Sequence, residues 1–115
     1  MSSVEAAAAG GAYLAPVFAA LGDPTRLSII SRLSDGQSRS IARLSGEAAI
    51  TRQAITKHLR VLESAGLVRS IRHGRESRFA LEPRGMAGAS AYLDQVSRQW
   101  DDILGRLRAL VEDVG

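Results

Sequence analysis

The stretch Thr51 to Leu67, TRQAITKHLRVLESAGL, restricts the fold more than any other part of the chain. Ile55, Leu59 and Leu62 recur at intervals of four and three, which aligns them on one stripe of a helix, while Arg52, Gln53, Thr56, Lys57 and Arg60 fall on other faces. One side enters a core and the other meets a partner. Thr51 has the hydroxyl an N-cap needs, and Gly66 tolerates the left-handed conformation that ends many helices, so a helix is predicted over residues 51–65. Its outward residues are mostly hydrogen-bond donors and amides crowded into the N-terminal half, a distribution suited to base edges in a DNA groove. A merely solvated amphipathic helix also carries Arg and Lys outside, so the flanking chain has to decide.

Charge supports a polyanionic partner. Between Arg39 and Arg78 there are nine Arg or Lys against Glu47, Glu63 and Glu76, whereas the remainder of the chain holds six basic and nine acidic residues. The positive field is thus confined to the segment that contains the candidate helix. With 115 residues the chain is long enough for one modest core and too short for a separate catalytic domain. It has no cysteine, which excludes disulfides and thiolate metal sites. No nucleophile, base and orienting partner come together and no Gly-rich phosphate loop is present, so neither an enzyme nor a cofactor is expected. The opening run VEAAAAGGAYLAPVFAALG lacks a basic start, carries Glu5 and is broken by Gly10 and Gly11, and is not read as a secretory leader. No apolar run approaches the ~18 residues of a membrane span, so a soluble, cytoplasmic protein is expected.

Taken in order, residues 1–12 are Ala, Gly and Ser with little to bury and are expected to form a mobile tail ahead of a single domain over 13–115. Leu14, Val17, Phe18 and Leu21 give a short first helix that stops at Gly22. Asp23-Pro24 starts a second as N-cap and first helical residue, with Leu27, Ile30 and Leu33 inward, and Asp35-Gly36 closes it. A third helix is expected from about Ser40 to Ala48, with Arg39 and Arg43 at its exposed entrance and Gly46 to Ile50 as a short connection into Thr51. Two short helices joined by a tight turn, the second basic and amphipathic, form a helix-turn-helix. After Gly66 the period changes. Leu67, Val68 and Ile71 lead to a His73-Gly74-Arg75 turn, and Phe79 and Leu81 return, predicting a β-hairpin over 68–81 that bears Arg69, Arg72, Arg75 and Arg78. Arginine at such a tip matches phosphate or a narrow minor groove. The fold class is therefore mainly α with a small β-hairpin, a winged helix-turn-helix.

From Gly85 or Met86 the chain returns to helix, assigned to 86–113. Leu93, Val96, Trp100, Ile103, Leu107, Leu110 and Val114 repeat at alternating intervals of three and four, a seven-residue seam. A solitary surface helix seldom needs one that long, so a homodimer is expected through the N- and C-terminal helices, with Leu14, Val17 and Phe18 alongside Leu93, Val96, Trp100, Ile103, Leu107 and Leu110. A cleft between these helices, walled by Tyr92 and Trp100, would admit a small apolar ligand. The same residues suit a filled dimer core, which is the expectation.

With these parts placed, the chain resembles the ArsR/SmtB family of bacterial winged-helix repressors across about residues 13 to 113. The resemblance rests on FAALGDPTRLSII at Phe18 to Ile30, TRQAITKHLRVLESAGLV at Thr51 to Val68, and RHGRESRFAL at Arg72 to Leu81. It implies a homodimeric repressor that leaves its operator when a signal arrives. Members that sense metals carry cysteines on the third helix or near the N-terminus, or Asp, His and Glu ligands on the last helix. Here the third helix reads SIARLSGEA and the last has no histidine, while Asp94, Asp101 and Asp102 without imidazole or thiolate partners make a poor transition-metal site. The chain looks like the metal-free branch, and no metal site is expected. At His58 the family motif implies a packing or hydrogen-bonding role within the helix.

The expected function is sequence-specific binding of double-stranded DNA at an inverted-repeat operator, with release by a signal of unidentified chemistry. Arg52, Gln53, Thr56 and Lys57 are the candidate base readers at the start of the helix capped by Thr51. Arg39, Arg43, Arg60, Arg72 and Arg78 are assigned to phosphates, Arg75 to the minor groove, and His73 to DNA or solvent near the tip. The alternative is a protein-interaction module with the same fold and only non-specific DNA binding.

Overall fold

The computed structural model describes residues 14–114, so the tail assigned to 1–12 and the expected start at Tyr13 lie outside the described residues. Helix α1 covers 14–21. It is followed by α2 (Pro24–Arg32), β1 (Arg39–Ser40), α3 (Ile41–Ala48), α4 (Arg52–Ser64), β2 (Val68–His73), β3 (Glu76–Leu81) and α5 (Pro83–Val114). The strands form an antiparallel sheet in the order β1-β3-β2.

The starts of α2, α3 and α4 are each set by a side chain that accepts amide protons the first turn cannot pair. Asp23 accepts from the Thr25 and Arg26 amides at 2.9 and 3.0 Å, Ser40 from Arg43 at 3.1 Å, and Thr51 from Ala54 at 3.1 Å. Helix α4 ends in a Schellman motif. The Leu67 amide donates to the Leu62 carbonyl at 3.0 Å and the Gly66 amide to Glu63 at 2.9 Å, with Gly66 at φ +78° and Leu62 and Leu67 fully buried. The core lies between α2, α3, α4 and the sheet, built on Ile29, Leu33, Leu44, Ile55, Leu59, Leu62 and Leu67.

Five expectations about the fold need correction. Leu27, expected inward on α2, is 50% exposed, and Ile29 is buried in its stead. A third strand, β1, joins the hairpin, with Arg39 opposite Phe79 and Ser40 opposite Arg78. Arg39 accordingly lies in this strand rather than at the mouth of α3, which begins at Ile41. Helix α3 runs through Gly46 to Ala48, leaving only Ala49 and Ile50 before the Thr51 cap. Ala49 turns the chain at φ 55°, and the buried Ser45 hydroxyl donates to the Ile50 carbonyl across the turn. Helix α5 begins at Pro83, three residues before the expected start at Met86, because proline at a first helical position loses no intrahelical bond.

Arg39 anchors the loop after α2. Its guanidinium bonds both Asp35 carboxylate oxygens, at 3.1 and 2.6 Å, and the Arg32 carbonyl at 2.5 Å. That hydrogen-bonded ion pair, helped by the Gln37 amide, lowers the Asp35 pKa from 3.8 to about 2. A depressed carboxylate contributes stability that is complete above its ordinary pKa and is lost as pH falls through the folded value. The gap in melting temperature between the wild type and Asp35→Asn is therefore expected to be open at pH 5 and to close between pH 3.8 and about 2. Melting curves that stay parallel across this range would contradict the pairing.

Candidate nucleic-acid interface

Helix α4 divides cleanly. Ile55, Leu59 and Leu62 are fully buried, and Arg52, Gln53, Lys57 and Arg60 are exposed on the outer side with Thr56 half-buried among them. These five outer residues line one shallow depression along the helix. Spacings of one, three, one and three residues from Arg52 to Arg60 keep them on a single face. Thr51 caps the end at which Arg52 and Gln53 project. Helix α3 packs across α4, and the two form the helix-turn-helix expected from the sequence.

Ion pairing sorts the basic residues into two groups. Arg39 is held by Asp35, Arg43 by Glu47 at 3.0 Å, and Arg78 by Glu76 at 3.0 Å. In contrast, Arg52, Lys57, Arg60, Arg72 and Arg75 form no side-chain ion pair with any described residue. Unpaired cations at a surface pay no cost of breaking an internal partner when a phosphate arrives, so the second group is the one fitted to a polyanion. Glu47 also meets Arg32 at 3.7 Å, and so ties α2 to α3.

At the wing, β2 and β3 are joined by the two-residue turn Gly74-Arg75, with His73 paired to Glu76. Gly74 at φ +64° supplies the left-handed first position such a hairpin turn needs, and Arg75 is left exposed at the tip beside the exposed Arg72 and His73. The sheet connects the wing rigidly to the end of α4 through the Schellman turn at Gly66.

His58 has partners on another helix, where the expectation was a role within its own. Its Nδ1 lies 3.8 Å from the Asp23 carboxylate and 3.4 Å from the Arg26 guanidinium. Arg26 also donates through Nε to the Ala20 carbonyl at 2.5 Å, so one side chain links the end of α1, the first turn of α2 and the middle of α4. The Arg26 amide, followed by the nearby His58 and Arg26 charges, holds the Asp23 carboxyl below its usual pKa. Arg26 and Ser45 were not singled out from the sequence. Asp23 as a cap with Arg26 three residues on was the only local sign of this cluster.

Of the apolar residues assigned to a dimer seam, Val17 belongs to this chain's own core at 8% exposure. Leu14 and Phe18 pack against that core, and the Phe18 ring meets Tyr92 at 5.5 Å between centroids. Val96 is half-buried, whereas Leu93, Trp100, Ile103, Leu107 and Leu110 are exposed. Leu104 and Val111 are exposed too, and widen the stripe beyond the expected seam.

Comparison with known proteins places this geometry. A family model described as a helix-turn-helix domain matches residues 21–71, from the end of α1 into β2. The HTH-type transcriptional regulator Rv2034 of Mycobacterium tuberculosis is 32% identical over 96 residues, which cover 84% of this chain and 86% of that protein. The solved structure of an ArsR-like transcriptional regulator from Rhodococcus sp. RHA1 aligns with a TM-score of 0.70 at 36% identity, over 86% of this chain and 92% of that one. The chain belongs to the ArsR family of winged helix-turn-helix transcriptional regulators.

The chain is also similar to the HTH-type transcriptional regulator CmtR of Mycobacterium tuberculosis, 37% identical over 83 residues, 72% of this chain and 70% of that protein. In this ArsR-family chain α3 and α4 form the DNA-binding helix-turn-helix, and β2 and β3 the wing. Among the described residues no cluster of three or more His, Cys, Asp or Glu is placed to hold a metal ion, and no helix is long and apolar enough to cross a membrane.

Proposed function

We propose that this ArsR-family regulator is a cytoplasmic, homodimeric repressor that binds an inverted-repeat operator and responds to a signal other than a cysteine-bound metal. The observation that carries this reading is the sorting of charge. The basic residues on the outer face of α4 and at the wing tip have no ion-pair partner among the described residues, while Arg39, Arg43 and Arg78 are held by carboxylates. A two-fold axis would place two α4 helices in successive major grooves, with half-site centres roughly 10 bp apart or a multiple of that.

In this reading Arg52 and Lys57 approach guanine, Gln53 approaches adenine, and Arg60 and Arg72 hold phosphates while Arg75 enters the minor groove. Arg43 reaches phosphate only by leaving Glu47, and Arg39 serves the loop at Asp35 instead. Arg52→Ala or Gln53→Ala is expected to cost roughly 1–3 kcal/mol at particular base pairs and to relax specificity there. Arg75→Ala is expected to weaken binding to all sequences and to lower the salt slope by about 1. Titration of each variant against operator and mutated operator at several salt concentrations checks both. Wild-type salt dependence in Arg75→Ala would remove the wing from the interface. Equal affinity of the wild type for every duplex would favour an interaction module with non-specific DNA binding.

A further inference from the structure

Thr56 occupies the middle of the outward face of α4, four residues after Arg52 and four before Arg60, and lines the same depression as both. Its hydroxyl is already engaged. Oγ1 donates to the Arg52 carbonyl at 2.7 Å, one turn back along the helix. A threonine hydroxyl has a single proton, so with that bond made the side chain has nothing to donate to guanine O6 or N7, or to thymine O4. What remains is the Cγ2 methyl and the lone pairs of an oxygen drawn back toward the helix.

The methyl is the branch that the hydrogen bond leaves over. The bond to Arg52 also restricts χ1, so the methyl is held before any DNA arrives rather than ordered by it. Its neighbours in the depression are two arginines, a lysine and a glutamine, all long and polar, which leaves Thr56 as the short side chain with an apolar end. In the major groove the apolar counterpart is the C5 methyl of thymine, which no other base carries.

Building on the assignment of α4 as the DNA-reading helix, we propose that Thr56 is a specificity-determining residue that recognises a thymine in each half-site through methyl–methyl contact, while its hydroxyl serves the helix. The proposal makes opposite demands on two conservative substitutions. Thr56→Val keeps a methyl at the same branch and discards the oxygen. Thr56→Ser keeps the oxygen and discards the methyl. Both change an outward side chain and leave the buried stripe of α4 intact, and circular dichroism of each verifies the fold.

The test begins by enriching an operator from random duplex DNA with the wild-type protein. Each thymine is then replaced singly by uracil, which removes only the C5 methyl, and affinity is measured with all three proteins. For the wild type, one uracil position per half-site is expected to weaken binding about four-fold, the worth of one buried methyl group. Thr56→Val is expected to keep both the wild-type affinity and that sensitivity. Thr56→Ser, which removes the methyl from both half-sites at once, is expected to bind about 16-fold more weakly and to be indifferent to uracil at that position. Loss of binding in Thr56→Val with wild-type behaviour in Thr56→Ser would mean that the hydroxyl reads the base, and would overturn the proposal. Identical uracil profiles for the wild type and Thr56→Ser would overturn it as well. A random pool that yields no enriched sequence would overturn the DNA-reading assignment of α4, and this proposal with it.

Discussion

Trp100→Glu combined with Leu107→Glu is expected to give a protein that sediments at the monomer mass of 12.2 kDa, where the wild type sediments at twice that mass. Helix α5 has 32 residues and is about 48 Å long. Among the described residues, the apolar packing of α5 against the rest of this chain comes from its first half, through Met86, the buried Ala89 and the Tyr92–Phe18 contact. From residue 100 onward every side chain with a described environment is exposed, including Trp100 at 57% and Val111 at 72%. Burying a side chain such as Trp, Leu, Ile or Val is worth about 1.5–3 kcal/mol, and this stripe holds Trp100, Ile103, Leu104, Leu107, Leu110 and Val111 on each copy. Those gains are large enough to meet the roughly 4–15 kcal/mol of lost rigid-body freedom on association. Two glutamates in the seam remove part of the gain and add charges that a closed interface would have to bury unpaired. Operator affinity should fall by about 10²-fold or more, because linked half-site binding is lost while α4 and the wing are untouched. Unchanged mass in the double variant would mean that α5 is not the dimer seam.

The second large effect is expected at Gly85→Val. A Cβ on Gly85 would overlap the Gly66 carbonyl oxygen and lie 2.7 Å from its carbon, and both belong to backbone that has no freedom to swing aside. Gly66 is the left-handed residue closing α4, and the Leu67 carbonyl next to it accepts the Glu82 amide at 2.9 Å. The end of α4, the root of the wing and the start of α5 therefore meet at one point where only a glycine fits. Forcing a side chain into this junction should cost about 3 kcal/mol, the upper part of the usual range for overpacking, and should lower the melting temperature by roughly 10 °C or more. Gly88→Ala is the matched control on the same helix. Its Cβ meets nothing within 4 Å, and alanine favours helix, so its melting temperature should stay level or rise. Equal melting temperatures for Gly85→Val and the wild type would show that α5 and α4 do not meet this closely.

Most of the helix-turn-helix was legible from the sequence because its determinants are local. Thr51, Ser40 and Asp23 cap as their side chains dictate, and the four-and-three spacing of Ile55, Leu59 and Leu62 defines the buried stripe. The misplaced features depend on contacts between distant segments. Strand β1 is two residues long and has no period of its own; its existence follows from the free edge of β3 at Arg78 and Phe79. Arg39 reads as an open cation until the loop folds back and sets Asp35 against it, although the four-residue spacing of the two was a usable hint. Val17 shows the limit of periodicity, which identifies an apolar face without saying whether the same subunit or another covers it. The same limit hid Leu104 and Val111, which fall outside a strict heptad and yet extend the exposed stripe.

The central claim is that α4, presented twice by a dimer, reads a specific duplex without help from a metal. The most direct measurement is a titration of the purified protein against a duplex from its own upstream region and against bulk DNA, at two salt concentrations, with and without a chelator. A metal-independent dimeric reader binds one inverted repeat about 10³-fold or more tighter than bulk DNA, and the chelator leaves that ratio unchanged. Equal affinity for both duplexes at each salt concentration, or a preference that disappears with the chelator, would contradict the claim.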